Sequence, residues 1–399
     1  MGEGAALLHA VSLDDRLWLV LVTSVSVRAR ETPAGREALS ALAGEFKKLV
    51  SDPSRDPRDA AGRLYDAVIR PVEGDLKAAG AATLMLSLDG DLRYAPMAAL
   101  WDGETWLAER YPTSLFTEST AARLRDAGRG AGASVRAMGV TAAWPGFPAL
   151  PGVAAELAAV VRTPGAPGGA LAGEARLDAA FDRAALAEGL ASEAPVVHVA
   201  SHFRLDPVSL ENTVLLLGDG GTLSLREISS GTDLDFRGLD LLTLSACDTA
   251  SGSGGGEGRE VESLGEVVQR AGASAVLATL MPVDDRSTPE LMREFYRLRY
   301  VEGEDKAGAL RGAQLLVMRE TGAGPGAGAG AGAPPERAGD AEGTGDVKGT
   351  DRRGTALSAP GASSASCASA GGISAKRWEG GGFSHPYYWS PFIIMGSWK

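Results

Sequence analysis

Two residues of the sequence, His202 and Cys247, have the chemistry of a catalytic pair, and each follows a short apolar run. The runs cover residues 196–200 and 239–244, and a third run follows at residues 275–280. Short apolar runs separated by amphipathic segments are typical of parallel strands that helices bury on both faces. The carboxyl ends of such strands meet at one edge of the sheet, where ligands bind. The spacing therefore predicts that a thiol nucleophile and an imidazole base meet at this edge.

The chemistry open to this pair is nucleophilic attack by a thiolate. A free cysteine has a pKa near ~8.5, so at neutral pH it reacts slowly until a neighbouring group lowers that value. The His202 imidazole can accept the thiol proton or hold the thiolate of Cys247 as an ion pair. The ordinary alternatives are a buried cysteine that acts as a small apolar residue and a histidine with a structural hydrogen bond. Spacing alone does not decide between them.

His198 lies four residues before His202, so both would face the same side of a continuous strand. We expect His198 to pack under the sheet, with orientation of the catalytic residues as the alternative. Two histidines at this spacing suit zinc only on a helix, and the sequence has no HExxH pattern. The chain has two cysteines, Cys247 and Cys367, so we expect no metal site and no cofactor.

The glycine-rich stretch at residues 252–258 does not indicate a nucleotide site. It fits neither the GxGxxG dinucleotide pattern nor the GxxxxGKS/T phosphate-binding loop. No serine of the sequence stands in a GxSxG nucleophile elbow. A nucleotide-binding α/β enzyme and a serine hydrolase are therefore not expected, and the glycines favour a mobile loop beside the substrate.

Charge and cysteine content exclude further classes. The 399 residues include 39 Lys and Arg against 51 Asp and Glu, which gives a net charge of −12. Such an acidic chain is not expected to bind nucleic acid, which requires a basic surface. Two cysteines cannot build a disulfide framework, so a reducing cytoplasm fits. The acidic start lacks a signal-peptide pattern and no apolar run reaches ~18 residues, which predicts a soluble protein that contacts no membrane.

The first half of the chain, residues 1–130, is predicted to hold a β-hairpin, two helices and a buried strand. The hairpin strands cover residues 5–12 and 17–27, the helices 37–49 and 60–69, and the buried strand 83–88, with a return strand at 92–94. Trp101 and Trp106 flank a turn. We expect both in the core rather than in a ligand platform.

The second half, residues 131–320, follows a glycine-rich boundary at 128–132. It contains the three central runs and several amphipathic segments with helical spacing. Its other predicted elements are strands over 135–140 and 213–217, a short helix begun by 223–228, and helices over 154–161, 177–190, 260–271, 288–300 and 307–319.

Residues 321–375 change in composition to Gly, Ala, Pro and Ser with scattered charges. Such a segment cannot bury enough apolar area to offset the entropy of ordering, which predicts a disordered insert. Residues 376–399 regain aromatic and β-branched residues, and 391–396 are predicted to form a strand that completes the core of the second half. A folded domain tolerates such an insert because the cost of loop closure grows only logarithmically with length.

Several motifs of the chain together resemble the CHAT domain, a caspase-like cysteine peptidase domain of the clan of caspases, separases and gingipains. The motifs are HVASH at 198–202, LLLGDG at 215–220, LSACDT at 244–249 and ATLMPVDD at 278–285, with further matches at 87–96, 106–111, 309–316 and 385–389. They occur in the expected order. The resemblance covers nearly the whole chain except residues 321–375.

The resemblance implies an α/β fold in which a caspase-like sheet carries helices on both faces. A degenerate pseudo-caspase first half would pack on an active second half, and the first half has His9 as its only histidine and no cysteine. His202 matches the catalytic histidine and Cys247 the nucleophile. The oxyanion would be held by the backbone N–H groups of Cys247 and of Phe203, the residue after the histidine.

The residue preferred at the cleavage site is left open. Relatives commonly carry Gly after the catalytic histidine, where this chain has Phe203, and metacaspase-like relatives carry Asp two positions before the cysteine, where it has Ser245. A preference for Arg or Lys therefore does not carry over. Ser245, Asp248 and Asp285 are candidate residues of the substrate pocket, although Asp248 can equally cap the following turn.

The expected function is cleavage of protein substrates by a Cys–His dyad, in bacterial defence or signalling, by an enzyme that a partner activates. Tetratricopeptide repeats often accompany CHAT domains and are not found in this sequence, so a separate tetratricopeptide-repeat protein is a candidate regulator. The alternative function is a catalytically silent scaffold that binds partners. The presence of both His202 and Cys247 favours the enzyme.

Overall fold

The computed structural model of the protein describes residues 4–117, 119–120, 133–165, 167–204, 211–231, 233–245, 259–320 and 376–399, and of residues 259–264 the backbone only. In these residues the fold is mixed α/β, with a large central sheet and helices on both of its faces. The predicted fold class is confirmed. The predicted disordered insert, residues 321–375, lies outside the described residues and stays a prediction.

The strands of the described residues form a twelve-stranded sheet and a three-stranded sheet. They are β1 (Ala5–Ser12), β2 (Leu17–Val22), β3 (Val27–Thr32), β4 (Thr83–Ser87), β5 (Thr113–Leu115), β6 (Ser134–Gly139), β7 (Val161–Arg162), β8 (Leu171–Leu177), β9 (Val196–Ala200), β10 (Phe203–Arg204), β11 (Val214–Leu216), β12 (Thr222–Ser224), β13 (Leu241–Ser245), β14 (Ala275–Thr279) and β15 (Phe392–Gly396). The order in the large sheet is β3-β2-β1-β4-β5-β15-β14-β13-β9-β6-β8-β7, and in the small sheet β10-β11-β12.

The helices of the same residues alternate with these strands along the chain. They are α1 (Arg36–Val50), α2 (Arg58–Val68), α3 (Glu73–Ala78), α4 (Leu107–Arg110), α5 (Val153–Val160), α6 (Arg183–Ala191), α7 (Leu225–Ser230), α8 (Arg259–Ala271), α9 (Thr288–Tyr296) and α10 (Lys306–Arg319). A π-helical segment, Arg297–Glu302, extends α9.

The three central runs form the parallel strands β9, β13 and β14, and every residue in them is buried. The register pairs Thr243 of β13 with His198 of β9, so their side chains share one face of the sheet. Helices α5 and α9 cover this face, because Glu156 of α5 and Tyr296 of α9 both reach His198. Continuous apolar strands thus lie between layers of helix, as the sequence predicts.

The opposite face of the sheet is covered by α8. Ile394 of β15 pairs with Leu277, which in turn pairs with Thr243, so Ile394 lies on the first face. Side chains alternate along a strand, so the next residue, Met395, points to the other face. There it packs against Gly265 of α8, where a Cβ would come within 2.8 Å of the Met395 sulfur.

Strand β15 joins the strands of the two halves of the sequence. It pairs antiparallel with β14 over its whole length, and Met395 pairs in parallel with Leu115 of β5. The strand predicted over 391–396 is therefore present, and it lies inside the sheet rather than at an edge.

Three local predictions were wrong. The second run of the hairpin forms two strands, β2 and β3, because the chain turns where Thr23 N–H donates to the Ser26 carbonyl. Residues 90–94 form a 3-10 helix instead of a strand. Leu177 ends strand β8, so α6 begins only at Arg183, after the Asp182 carboxylate caps its first turn.

The segment before β15 packs against the first half of the chain. Trp378 lies beside Trp106, with 6.5 Å between ring centroids, and Trp106 lies against Trp101, with 4.7 Å between ring centroids and the rings tilted by 60°. The prediction that both belong to the core is confirmed for Trp106, whereas Trp101 is partly buried and packs against the core. None of the helices in the described part of the chain is long and apolar enough to cross a membrane.

Candidate active site

Strands β9 and β13, which His202 and Cys247 follow in the sequence, end at the same level of the sheet. Ala200, the last residue of β9, pairs with Ser245, the last residue of β13. The Ser201 N–H then donates to the Ser245 carbonyl at 3.1 Å. His202 follows Ala200 by two residues, and Cys247 follows Ser245 by two residues. Cys247 and Asp248 themselves lie outside the described residues.

His202 is buried, with 3% of its surface exposed, and among the described residues its ring makes one hydrogen bond. Its Nε2 lies 2.7 Å from the carbonyl oxygen of Pro148. A carbonyl oxygen can only accept, so Nε2 carries the proton of the neutral ring. Nδ1 is then an acceptor, because the bond at one ring nitrogen fixes the state of the other. The site therefore presents an imidazole nitrogen that can take a proton.

The loop that carries Pro148 also packs on the ring of His202. A turn closed by hydrogen bonds between Trp144 and Phe147 precedes Pro148. The Phe147 ring lies 5.3 Å from the His202 ring, and the Arg204 guanidinium lies 4.8 Å from the Phe147 ring on the other side. The Phe147 ring therefore limits rotation of the His202 ring.

Phe203 begins strand β10 and pairs with Leu215 of β11. The Leu216 N–H donates to the His202 carbonyl at 2.9 Å, which marks Phe203 and Leu215 as a non-hydrogen-bonded pair. In such a pair each N–H points away from the partner strand. The Phe203 N–H is therefore not used by β11, while its side chain is buried in the core.

Ser245 and Asp285 are the pocket candidates that the structure describes. Ser245 is 5% exposed, and its hydroxyl has no hydrogen-bond partner among the described residues. Asp285 lies at the surface after β14, and its carboxylate lies against Gly152, the residue before α5, where a Cβ would come within 2.3 Å of Asp285 Oδ1. Partial desolvation raises the pKa of Asp285, and the charges of Asp284 and Glu156 act in the same direction. Asp285 therefore places the loop after β14 in contact with the start of α5.

His198 packs beneath the sheet, as expected. Its Nδ1 lies 2.9 Å from the Tyr296 hydroxyl and its Nε2 lies 3.1 Å from a Glu156 carboxylate oxygen. The Tyr296 hydroxyl also lies 2.6 Å from Thr243 Oγ1. Burial raises the pKa of Tyr296 above its ordinary value, so it stays neutral. The network links β9, β13, α5 and α9 just below the candidate site.

Sequence reasoning missed the Pro148 carbonyl, Glu156 and Tyr296. A backbone carbonyl in a loop has no side-chain signature, so no sequence pattern would have indicated Pro148. Glu156 and Tyr296 stand inside helices whose apolar spacing was recognised, and a polar residue at a buried helical position was the available signal. Across the described residues, no group of His, Cys, Asp and Glu side chains is arranged to hold a metal ion.

Comparison with known proteins gives a match to one family model and likenesses to several solved structures. The family model of the CHAT domain matches residues 58–397. A chain of the Saccharomyces cerevisiae separase–securin complex is similar at 8% sequence identity with a TM-score of 0.45, covering 78% of this chain and 29% of that chain. The Arg-specific cysteine proteinase gingipain R is similar at 8% identity with a TM-score of 0.38, covering 70% of each chain. No curated protein matches the chain significantly.

The match to the family model includes every motif quoted from the second half of the sequence. It contains His202 and Cys247 and runs from α2 to β15. By contrast, the chain spans less than a third of the separase-complex chain that it resembles. Because the family model covers most of the sequence, this protein belongs to the CHAT domain family.

Proposed function

We propose that the protein is a cysteine endopeptidase in which Cys247 is the nucleophile and His202 the general base and acid. The observation that carries the proposal is the hydrogen bond from His202 Nε2 to the Pro148 carbonyl. This bond leaves Nδ1 as the proton acceptor of a buried ring at the end of β9. The cysteine of the LSACDT motif follows the neighbouring strand by the same number of residues.

In the proposed reaction, Nδ1 of His202 takes the proton of the Cys247 thiol, and the thiolate attacks the carbonyl carbon of a peptide bond. The Phe203 N–H, which β11 does not use, and the Cys247 N–H stabilise the negative oxygen of the tetrahedral intermediate. The intermediate collapses as His202 gives its proton to the leaving amine. A water molecule, deprotonated by His202, then hydrolyses the acyl-enzyme and restores the thiol.

The substrate pocket is proposed to include Ser245, Asp248 and Asp285. Among the described residues the buried hydroxyl of Ser245 has no hydrogen-bond partner, and a buried polar group without a hydrogen bond costs free energy, which favours a partner within the site. The Asp285 carboxylate lies at the surface, where it can accept hydrogen bonds from a substrate. A protein substrate in bacterial defence or signalling, a cytoplasmic location, and activation by a partner such as a tetratricopeptide-repeat protein are part of the same proposal.

The second candidate function is a catalytically silent scaffold. The observation in its favour is the small exposure of His202, which is also what a structural histidine with one backbone hydrogen bond would have. The two functions differ in whether Cys247 is needed for cleavage.

The deciding experiment uses the full chain with its candidate partners and compares Cys247→Ala with Cys367→Ala. Proteins that the Cys247→Ala variant retains in a pulldown are incubated with each variant, and cleavage products are mapped by mass spectrometry. The peptidase predicts that Cys367→Ala cleaves as wild type does and that Cys247→Ala does not cleave. Equal cleavage by wild type and Cys247→Ala contradicts the proposed nucleophile, and capture of partners without cleavage by any variant supports the scaffold.

A further inference from the structure

The loop at residues 140–152, between β6 and α5, delivers the carbonyl that holds His202. Its only regular feature among the described residues is the bridge between Trp144 and Phe147. The Leu150 N–H donates to the Thr141 carbonyl at 3.1 Å, which connects the beginning of the loop to the segment that contains Pro148. The position of the Pro148 carbonyl therefore depends on the residues that fix this loop.

Asp178 fixes the beginning of the loop with three hydrogen bonds. Its carboxylate accepts the Thr141 N–H at 2.7 Å, the Ala142 N–H at 3.1 Å and the Thr141 hydroxyl at 2.7 Å. These bonds lower the pKa of Asp178 although partial burial acts in the opposite direction. The carboxylate is therefore the acceptor around which the first residues of the loop are arranged.

The backbone of Asp178 is held in an unusual conformation. Its φ of 51° is the one positive value of a non-glycine residue in the described part of the chain. Non-glycine residues in this region carry backbone strain, and Asp and Asn tolerate it best. Strain of this kind persists where the surrounding structure requires the conformation. In this protein the strained conformation of Asp178 directs its carboxylate toward the loop.

Two glycines of the LLLGDG motif pack against Asp178 and against the loop. A Cβ at Gly218 would come within 1.9 Å of the Asp178 carbonyl oxygen, so only glycine allows this approach. A Cβ at Gly220, whose φ is 86°, would come within 2.3 Å of the Trp144 ring. The motif also contributes β11, which pairs with the strand that begins at Phe203.

We propose that Asp178, seated on the glycines of the LLLGDG motif, is a positioning residue for His202. It acts through the loop at residues 140–152, which aligns the Pro148 carbonyl with His202 Nε2 and so keeps Nδ1 free to accept a proton. The inference extends the proposed function, on which it rests for its catalytic consequence. It also gives a role to a motif that contributes no group to the reaction.

Variants separate the carboxylate from the backbone conformation at position 178. Asp178→Asn keeps an acceptor and tolerates the positive φ, so its kcat should stay close to wild type. Asp178→Gly keeps the conformation but removes the acceptor, so kcat should fall roughly ten- to hundredfold, as a small misplacement of a catalytic group does. KM should change little, because no group that contacts the substrate is altered.

Gly220→Ala disturbs the loop at Trp144 and should also lower kcat. Gly165→Ala is the control, because its Cβ position has open space around it, and its kcat should not fall.

The second readout is the ring of His202 itself, by ¹⁵N NMR of the imidazoles of the full chain. The four histidines allow assignment by loss of one signal in His202→Gln. Wild type and Asp178→Asn should show a single tautomer with the proton on Nε2, and Asp178→Gly a mixture. Wild-type kcat and tautomer in Asp178→Gly, or equal losses in the Asn and Gly variants, overturn the inference. If no variant cleaves any substrate, the proposed function fails, and the tautomer still decides the positioning role.

Discussion

At the scale of the residue, the reactivity of the candidate site depends on which nitrogen of His202 carries the proton. The Pro148 carbonyl keeps the proton on Nε2, and the Phe147 ring restrains the imidazole. Both groups belong to one loop, so a backbone carbonyl orients His202 as a carboxylate orients the histidine of a catalytic triad. A histidine fixed in this way is ready to accept a proton without a change of rotamer.

The first prediction concerns the Cys247 thiol. If His202 takes its proton, alkylation of Cys247 by iodoacetamide should follow a pKa below the ~8.5 of a free thiol. His202→Gln removes the base, so the midpoint of the rate profile should move up toward that value. Peptide mass spectrometry of the same samples gives the rate at Cys367, which is the internal reference. Identical profiles for Cys247 in wild type and His202→Gln would show that the two residues do not interact.

How much of the site the sequence could predict also differs from residue to residue. His202 and the N–H of Phe203 follow from one motif and the end of one strand, so their location at the carboxyl edge could be predicted. The Pro148 carbonyl could not, because it comes from another part of the chain and has no side-chain chemistry. The assignments of Cys247 and Asp248 stay predictions, since both residues lie outside the described part of the chain.

At the scale of the element, the parallel strands are held in register by a polar contact as well as by apolar packing. The Tyr296 hydroxyl of α9 contacts His198 on β9 and Thr243 on β13, and the other nitrogen of His198 contacts Glu156 on α5. Every member of this network is buried. Each contact therefore matters because a buried polar group left without a partner is costly.

The central strands, which were predicted correctly, differ in burial from β8, which was not predicted. Residues 196–200 are apolar at almost every position and are buried on both faces, so the pattern is clear. Strand β8, Leu171–Leu177, is largely exposed and contains Glu174 and Arg176, so it lacks that pattern. It is the second strand from one end of the sheet, and only the two-residue strand β7 lies beyond it. Pairing with β6, and not its own composition, makes this segment a strand.

The second prediction is that Tyr296→Phe lowers the free energy of unfolding by about 1–3 kcal/mol, because His198 Nδ1 and Thr243 Oγ1 lose a partner. Urea unfolding followed by circular dichroism measures the change. Thr243→Val is the companion variant, and the double variant closes the thermodynamic cycle. A coupling of about 0.5 kcal/mol or more between the two positions is expected for groups in direct contact. Strictly additive effects would contradict a hydrogen bond between these two hydroxyls.

At the scale of the whole molecule, strands of both halves of the sequence share one sheet, and the C-terminal segment contacts both. β15 lies between β14 and β5, while the residues before it pack on the first half. The Asp56 N–H donates to the Lys376 carbonyl and the Trp378 N–H to the Ser54 carbonyl. The contacts are thus made by segments far apart in the chain, which local periodicity could not predict.

His385 is the titratable centre of this contact. Its Nε2 donates to the Arg55 carbonyl at 2.8 Å, and its Nδ1 accepts the Tyr387 N–H at 3.0 Å, so the ring is held neutral. Burial lowers the pKa of His385 to about 4, against weaker opposing effects that include the charges of Asp56 and Asp52. The same residue in the unfolded chain takes up a proton near pH ~6.5.

The third prediction follows from this difference in pKa. Between pH 6.5 and 4 the unfolded state binds a proton that the folded state does not, so His385 makes stability fall as the pH falls. The contribution is complete above pH ~6.5 and its loss reaches about 3 kcal/mol near pH 4. His385→Gln has no titrating ring, so the free energy of unfolding of wild type should decline more steeply than that of the variant over this range. Carboxylates distant from His385 affect both proteins alike as they lose their charge at low pH, and their contributions cancel in the comparison. Urea unfolding at several pH values measures both curves. Parallel curves for wild type and variant would mean that the pKa of His385 is not lowered by folding. The C-terminal segment would then not be held against the first half as the hydrogen bonds to Arg55 and Tyr387 require.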